Sequence, residues 1–385
     1  MTGRGLAALA LLLVTGCQVA PVGETSGGSP ASSGEGRALR VLLDAERVHY
    51  GAAGALAVVR VGDQRWAVAT GAADSSGTPL EPTDTFRIAS ITKPIVAALM
   101  LEAVDRGEVS LDDVVGDLLP GTLRPRPAVT VRMLLNHTSG IFDEGNEGDP
   151  AADAGQLEDP VLAQEARGLV SRYPAGDRVI ASDRLLVALA ETHDRYFRPG
   201  TGYHYSNINY QLAAMVLERV TGIPLADLLR TRIVEPLGLR HTTIAPPDLT
   251  SPTMRGYVPS QAGAAPVDLT DDLVAFGNGG NGGVISTADD LASTLSAIVQ
   301  GRLFSSGLVT AMTTPAKGTY GLGLAVFETG CGVFYGHGGA VNGTGSVAMV
   351  SADGDDAVVV AQNLLTDSEA DLPGLAERLV CSAVG

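Results

Sequence analysis

Apolar positions change their spacing three times along the chain. From Gly54, "GALAVVRV", a polar "GDQ" and "RWAVATGA" read as a two-stranded hairpin ending at Ala72, because both runs are short and rich in β-branched residues and the break between them is a turn. From about Ser90 to Arg106 the apolar residues fall at helical spacing, with Ile91, Ile95 and Leu99 on one line and Val96, Met100 and Val104 on another, and Gly107 stops the run. Between Tyr320 and Asn363, "YGLGLAVFE", "GVFYGHGG", "TGSVAMVSADG" and "DAVVVAQN" read as consecutive antiparallel strands, and a last helix is expected from about Glu369 to Cys381. The middle is helical: "VTVRMLLNHTSG", "ASDRLLVALAETHDRY", "YSNINYQLAAMVLERVTG", "PLADLLRTRIVEPLGL" and "STADDLASTLSAIVQG" all carry helical periodicity. Strands at both ends with helices between predict an α/β (α+β) fold. One antiparallel sheet flanked by helices is built from both termini, over 41–115 and 276–385, and a helical domain is inserted over 116–275.

The first residues follow another logic. Met1 to Gly16 have Arg4 in a short basic region and an apolar run from Leu6 to Val14, the pattern of a secretory signal, and the run is too short to remain as a bilayer-spanning helix. The run ends in "VTGC", which resembles a bacterial lipobox; that resemblance implies lipidation at Cys17 and a place on the outer face of the bacterial cell membrane. An ordinary signal cut elsewhere is the alternative. Residues 17–40 are rich in Gly, Ser and Pro and are expected to be a flexible tether.

Composition narrows the function. The 385 residues are 45% hydrophobic but only 4% aromatic, and 48 are glycine, so the cores rest on Ala, Leu and Val and the loops are many. A formal net charge of -17 disfavours a nucleic-acid partner, which needs a basic face, and suits solubility outside the cell. Beyond Cys17 the cysteines are Cys331 and Cys381; in an exported chain they either pair, closing a loop that stabilises by roughly 4 kcal/mol, or remain two buried thiols. His49, His137, His193, His204 and His241 show no metal-binding spacing, so no metal or other cofactor is expected. The acidic stretch from Asp143 to Pro160 reads as a solvated loop; the alternative sets it beside a cleft.

One stretch carries chemistry. "FRIASITKPIVAALML" puts Ser90 one helical turn before Lys93 in an apolar segment. An interior proline costs about 3 kcal/mol, so Pro94 places the helix start near Ser90. A helix start points free N–H groups at whatever sits there, and a buried amine loses its proton more readily, so the pair suits an activated nucleophile. Alone, a serine three residues before a lysine reads better as a helix cap and a surface charge.

Two further stretches, "FRPGTGYHYSNINYQL" and "YGHGGAVNGTG", complete a pattern with "SITK". Together they resemble the three motifs of the serine β-lactamase and penicillin-binding family. The nearest branch holds class C β-lactamases, D-alanyl-D-alanine carboxypeptidases, D-amino-acid-specific peptidases and β-lactamase-like esterases. The second motif is Tyr205-Ser206-Asn207 and the third His337-Gly338-Gly339, and the resemblance runs from about Gly51 to Asn363. It implies a β-lactamase/transpeptidase-like fold and a role for each matching residue. Ser90 is then the acylated nucleophile, with Lys93 and Tyr205 as bases aided by a cationic neighbour such as His337. Asn207 holds the substrate amide and Lys93, and the backbone N–H groups of Ser90 and Ala340 form the oxyanion hole beside Gly338 and Gly339. His137 matches a structural segment of the family.

The third motif departs from the family. No hydroxyl occurs from Gly338 to Ala340, and an imidazole replaces a permanently charged lysine, so the anchor for a β-lactam carboxylate is weakened. The expectation is therefore an exported, monomeric serine hydrolase of carboxypeptidase, D-peptidase or esterase type acting through an acyl-enzyme on a small molecule or peptide. A slow-turnover β-lactam-binding protein, a class C-like β-lactamase, or a non-catalytic envelope protein that keeps only the fold are the alternatives.

Overall fold

The computed structural model describes residues 34–384 apart from 124–127, 149, 173–180, 245–250, 259–265, 271–278, 342 and 364–369. The expected signal segment, Cys17 and the tether as far as residue 33 lie outside the described residues.

The helices that matter below are α1 (Gly34–His49), α2 (Thr92–Asp105), α3 (Val131–Leu135), α4 (Pro160–Arg172), α5 (Asp183–Ala190), α6 (Asn207–Thr221), α7 (Ala288–Val299) and α8 (Leu372–Val384). Six strands, β1 (Gly54–Val61), β2 (Gln64–Gly71), β3 (Ala325–Thr329), β4 (Gly332–Val341), β5 (Thr344–Ser351) and β6 (Ala357–Asn363), form one sheet in the order β2-β1-β6-β5-β4-β3. Every neighbouring pair is antiparallel. The early hairpin joins the late strands through β1 and β6, with Val58 opposite Val359.

Alternate residues of a strand face opposite sides, and here both sides are covered. Ala55, Ala57 and Val59 of β1 belong to a cluster with α1 and α8, while Leu56 and Val58 belong to the larger cluster that holds α2 and α7. That double burial is why "AVVVA" of β6 is apolar at every position. The larger cluster continues into the helical region around α6, whose Ile208, Tyr210, Leu212, Ala213 and Leu217 are all buried.

Four expectations shift. Helix α1 starts at Gly34, inside the stretch expected to be tether through residue 40. Leu39 and Leu43, one turn apart, are buried in the cluster of Trp66, Val68, Leu375 and Leu379, so this segment has a face to bury that its Gly- and Ser-rich prefix lacks. Glu35 in its first turn and Arg47 in its last suit the helix dipole. The strand expected from Tyr320 begins only at Ala325, because the glycines before it form a turn: Gly321 N donates to Leu324 O at 2.8 Å, and Gly323, at φ +88°, lies so close to Ala97 that a Cβ would sit 2.5 Å from that side chain. The helix expected from Ser90 opens as a 3-10 turn over Ala89–Ile91, and α2 proper begins at Thr92, with Pro94 in the first turn where its missing N–H costs nothing. Helix α4 follows the acidic stretch and was not anticipated. The sulfur of Cys331, in the β3–β4 turn, meets that of Cys381 on α8, with the two Cα atoms 5.5 Å apart.

If α1 belongs to the folded unit, Leu43→Ala lowers stability by about 2–4 kcal/mol, the range for a buried leucine cavity. Urea unfolding of the two proteins measures this; equal midpoints would return the segment to a tether.

Candidate active site

Ser90 sits where three short pieces of chain converge. Ile88 N donates to Val284 O at 3.1 Å, and Val284 N donates to Thr92 Oγ1 at 3.2 Å, so the segment is stitched to the neighbouring strand on both sides of the serine. Between them Ala89 adopts φ +48°, a left-handed conformation that costs a residue with a Cβ about 1 kcal/mol. The turn sets Ser90, half-buried, just ahead of α2.

Lys93 is one turn further and wholly buried, at 0% exposure. Its Nζ donates to Ser90 Oγ at 2.9 Å, to Asn207 Oδ1 at 2.8 Å and to the backbone oxygen of Asn281 at 2.8 Å. Burial pushes the amine down to about 7, against an opposing pull from Asp143. When the amine is neutral it has two protons and one lone pair. Asn207 Oδ1 and Asn281 O can only accept, so both protons stay with them and the lone pair faces Ser90 Oγ. The geometry is that of a base aimed at the serine hydroxyl.

Tyr205 precedes α6, and its ring centroid lies 4.9 Å from Lys93 Nζ. Burial pushes its phenol above the ordinary tyrosine range; the neighbouring Ser90 hydroxyl pulls the other way, and Asp143 and Tyr203 add to the rise. His337 does not supply the positive charge expected for it. It is buried on β4 and pushed down to about 3, first by burial and then by Lys93. Its Nδ1 lies against Gly338 O and so carries the ring proton, which leaves Nε2 to accept from the Tyr320 hydroxyl at 2.9 Å. Sequence reasoning missed Tyr320, which looked like the first residue of a strand.

Strand β4 has an open edge at the site. Its pairing with β3 ends at Gly336, while pairing with β5 continues through Ala340 and Val341. The freed stretch passes the Ser90 turn so closely that a Cβ on Gly339 would lie 2.5 Å from Ile88 O. Glycine is required there by contact, and Gly338 and an exposed Ala340 flank it on the same strand.

His137 is a framework residue. Its buried Nδ1 accepts from Ser206 N at 3.2 Å and Asn209 Nδ2 at 3.1 Å, and its ring lies 4.4 Å from that of Tyr205, steadying the segment ahead of α6. The solvated-loop expectation for the acidic stretch fails at Asp143, Glu144 and Asp153, which are all buried. Asp143 Oδ1 accepts from Asn207 N at 2.9 Å and its Oδ2 from Asn207 Nδ2 at 3.3 Å. His193 also has the acidic neighbours that its spacing did not suggest, with Nε2 2.9 Å from Asp153 Oδ2 and the Glu144 carboxylate close by.

A serine at the mouth of a buried helix with a desolvated amine behind it, on an antiparallel sheet closed by both ends of the chain, is the arrangement of the serine acyl-transfer folds. The chain belongs to the Beta-lactamase family, whose model matches residues 39–380. It is 37% identical over 195 residues to esterase EstB of Burkholderia gladioli, covering 49% of this chain and 46% of that protein. It is 30% identical over 316 residues to a D-aminopeptidase of Brucella anthropi, covering 77% of this chain and 53% of that protein. The chain thus spans about half the length of these curated relatives. Among solved structures, a D-stereospecific amidohydrolase from Streptomyces sp. superposes with a TM-score of 0.72 at 33% identity, covering 90% of this chain and 98% of that one. The D-amino acid amidase from Ochrobactrum anthropi SV3, complexed with L-phenylalanine amide, superposes with a TM-score of 0.75 at 26% identity, covering 91% and 99%. These relatives are hydrolases.

Proposed function

We propose that the chain is a serine hydrolase that forms an acyl-enzyme on Ser90 and acts on uncharged esters and amides, those of D-amino acids foremost, in preference to β-lactams. The observation that carries this reading is the buried Lys93 amine, lowered to about 7 and bonded to Ser90 Oγ at 2.9 Å. Lys93 takes the serine proton as Oγ attacks the substrate carbonyl. The charge that develops on the carbonyl oxygen is held by the backbone N–H groups of Ser90 and Ala340, each worth roughly 3 kcal/mol. Collapse breaks the ester or amide bond, and the leaving alcohol or amine takes the proton back through Lys93 and the neutral Tyr205 hydroxyl. Water, deprotonated by the same amine, then cleaves the acyl ester and frees Ser90 and the product acid. Asn207 steadies Lys93 and offers its remaining amide proton to the substrate.

The preference for uncharged substrates is supported by the third motif. His337 is neutral and engaged by Tyr320, and no hydroxyl stands at 338–340, so the third motif offers a substrate carboxylate neither a positive charge nor a hydroxyl. The similarity to an esterase, a D-aminopeptidase and D-amino acid amidohydrolases points the same way. Similarity to penicillin-binding protein 4* of Bacillus subtilis, 26% over 249 residues, keeps slow acylation by penicillins as the second reading.

Turnover of a short-chain p-nitrophenyl ester, a D-alanine p-nitroanilide and a chromogenic cephalosporin, measured against pH, tests this. The ester and the D-amide should be cleaved faster than the cephalosporin. Because the neutral amine is the active form, kcat/KM should rise with pH through an apparent pKa near 7. Ser90→Ala should abolish turnover and labelling by a fluorophosphonate while the near-UV circular dichroism stays unchanged. Labelling that survives in Ser90→Ala would refute the assignment.

We further propose that the chain is exported, lipidated at Cys17 and bridged between Cys331 and Cys381, on the strength of "VTGC" and the contact of the two sulfurs. In a bacterial host, labelled palmitate should enter the protein and be lost in Cys17→Ala, and the denatured, unreduced protein should show no alkylatable thiol. Unlabelled protein, or two free thiols, would contradict the respective half.

A further inference from the structure

In the acidic stretch, Asp143 stands against Asn207, a placement that neither the motifs nor the expected chemistry anticipates. Asp143 is 1% exposed, and each of its two carboxylate oxygens accepts a hydrogen bond from Asn207. We propose that Asp143 is a positioning residue: it locks the Asn207 amide with its oxygen toward Lys93, and its charge balances the buried amine. This inference rests on Ser90 and Lys93 acting as described above.

The argument begins with the shape of an amide. The oxygen and nitrogen ends of asparagine occupy nearly the same space, so only their partners decide which way the group points. Lys93 approaches Asn207 with a donor and needs the oxygen. A flipped amide would set N–H against N–H in a buried site and cost the full desolvation of both groups. A carboxylate prevents the flip because it can only accept. Asp143 Oδ2 takes the Nδ2 proton at 3.3 Å, and Oδ1 takes the Asn207 backbone N–H at 2.9 Å, one of the N–H groups left free at the start of α6. Negative charge at a helix N-terminus is itself favourable. A serine or asparagine at 143 could supply part of this geometry, but neither forces the amide one way.

The charge has a second use. Tyr205 and Tyr210 face Lys93 with their rings, 4.9 and 5.7 Å from Nζ to the centroids, and burial keeps both phenols protonated. His137 and His337 are held neutral by burial and by Lys93 itself. Asp143 is the acidic group whose pull on Lys93 opposes this environment. On its other side Asp143 N donates to the Tyr196 hydroxyl at 3.3 Å, and that hydroxyl donates to Glu147 at 2.7 Å, so the Asp143 backbone is held from the surface as well. An amine driven far below the working pH is always neutral but a weak base, and the opposing charge keeps Lys93 basic enough to take a serine proton.

The test is the pH dependence of ester turnover and of fluorophosphonate labelling in the wild type, Asp143→Asn and Asp143→Ser, each checked for folding by circular dichroism. Asp143→Asn should lower kcat about tenfold or more with little change in KM, since the loss falls on the chemical step. Its acid limb should move to lower pH, because removal of the negative charge lowers the lysine further. Asp143→Ser should show the same direction of shift, and it decides the matter if the asparagine variant is poorly folded. A purely architectural residue would lower the amount of active protein without moving the limb. A labelled, folded variant whose limb stays at the wild-type pH overturns the inference and leaves the Ser90 reading intact. A wild type that neither turns over nor labels overturns both.

Discussion

A single buried amine organises this molecule. Lys93 sits at zero exposure on α2 with three oxygen acceptors around it, and most of the site can be understood as what is needed to keep that amine buried, oriented and close to losing its proton. An isolated ammonium in a protein interior is strongly disfavoured, and the usual relief is an ion pair in direct contact. Here the relief is divided: Asn207 and Asn281 satisfy the protons, Asp143 opposes from behind Asn207, and the remaining cost appears as a pKa lowered to about 7. The instability of the charged lysine is the driving force offered to Ser90.

The rest of the fold delivers the acceptors. Helix α2 is buried all round because it lies between the sheet and α6, and this double cover excludes water from Lys93. Asn207 opens α6, whose position is set by its own buried face and by His137, Tyr210 and Asn209. Strand β4 reaches Ser90 because β3 stops short of His337 and because Gly339 has no side chain to hold the two segments apart. The left-handed Ala89 is the strained link in this assembly, held by Val284 on one side of the serine and by the Thr92 hydroxyl on the other.

Much of this was legible beforehand. The short apolar runs "GALAVVRV" and "RWAVATGA" on either side of a polar turn, the apolar lines of α2 and the spacing of Ser90 and Lys93 are local patterns, and such patterns survive folding unchanged. The segments holding Tyr205, Asn207 and His337 could be picked out only because, in order after "SITK", they resemble the second and third motifs of the family. What stayed hidden depends on contacts across long separations. Asp143 looked like one more charge in an acidic run, and only the approach of α6 buries it. Tyr320 read as a strand residue until the Gly321–Gly323 turn docked on α2. Helix α1 has two buried leucines among many charges, too weak a stripe to outweigh the Gly- and Ser-rich prefix before it. The ionisation of His337 follows from its enclosure by Tyr320 and Lys93, which no single segment contains.

The account stands or falls on the ionisation of one side chain, and that can be observed without any substrate. Lysine labelled with carbon-13 at Cε, with Lys93 assigned by comparison with Lys93→Met, reports the protonation of the amine through its chemical shift. The account predicts a titration near pH 7 for Lys93, against an ordinary lysine value of 10.5. A Lys93 resonance that titrates near 10.5 would mean that the amine is hydrated and charged in the resting protein, and would contradict the claim that its burial activates Ser90.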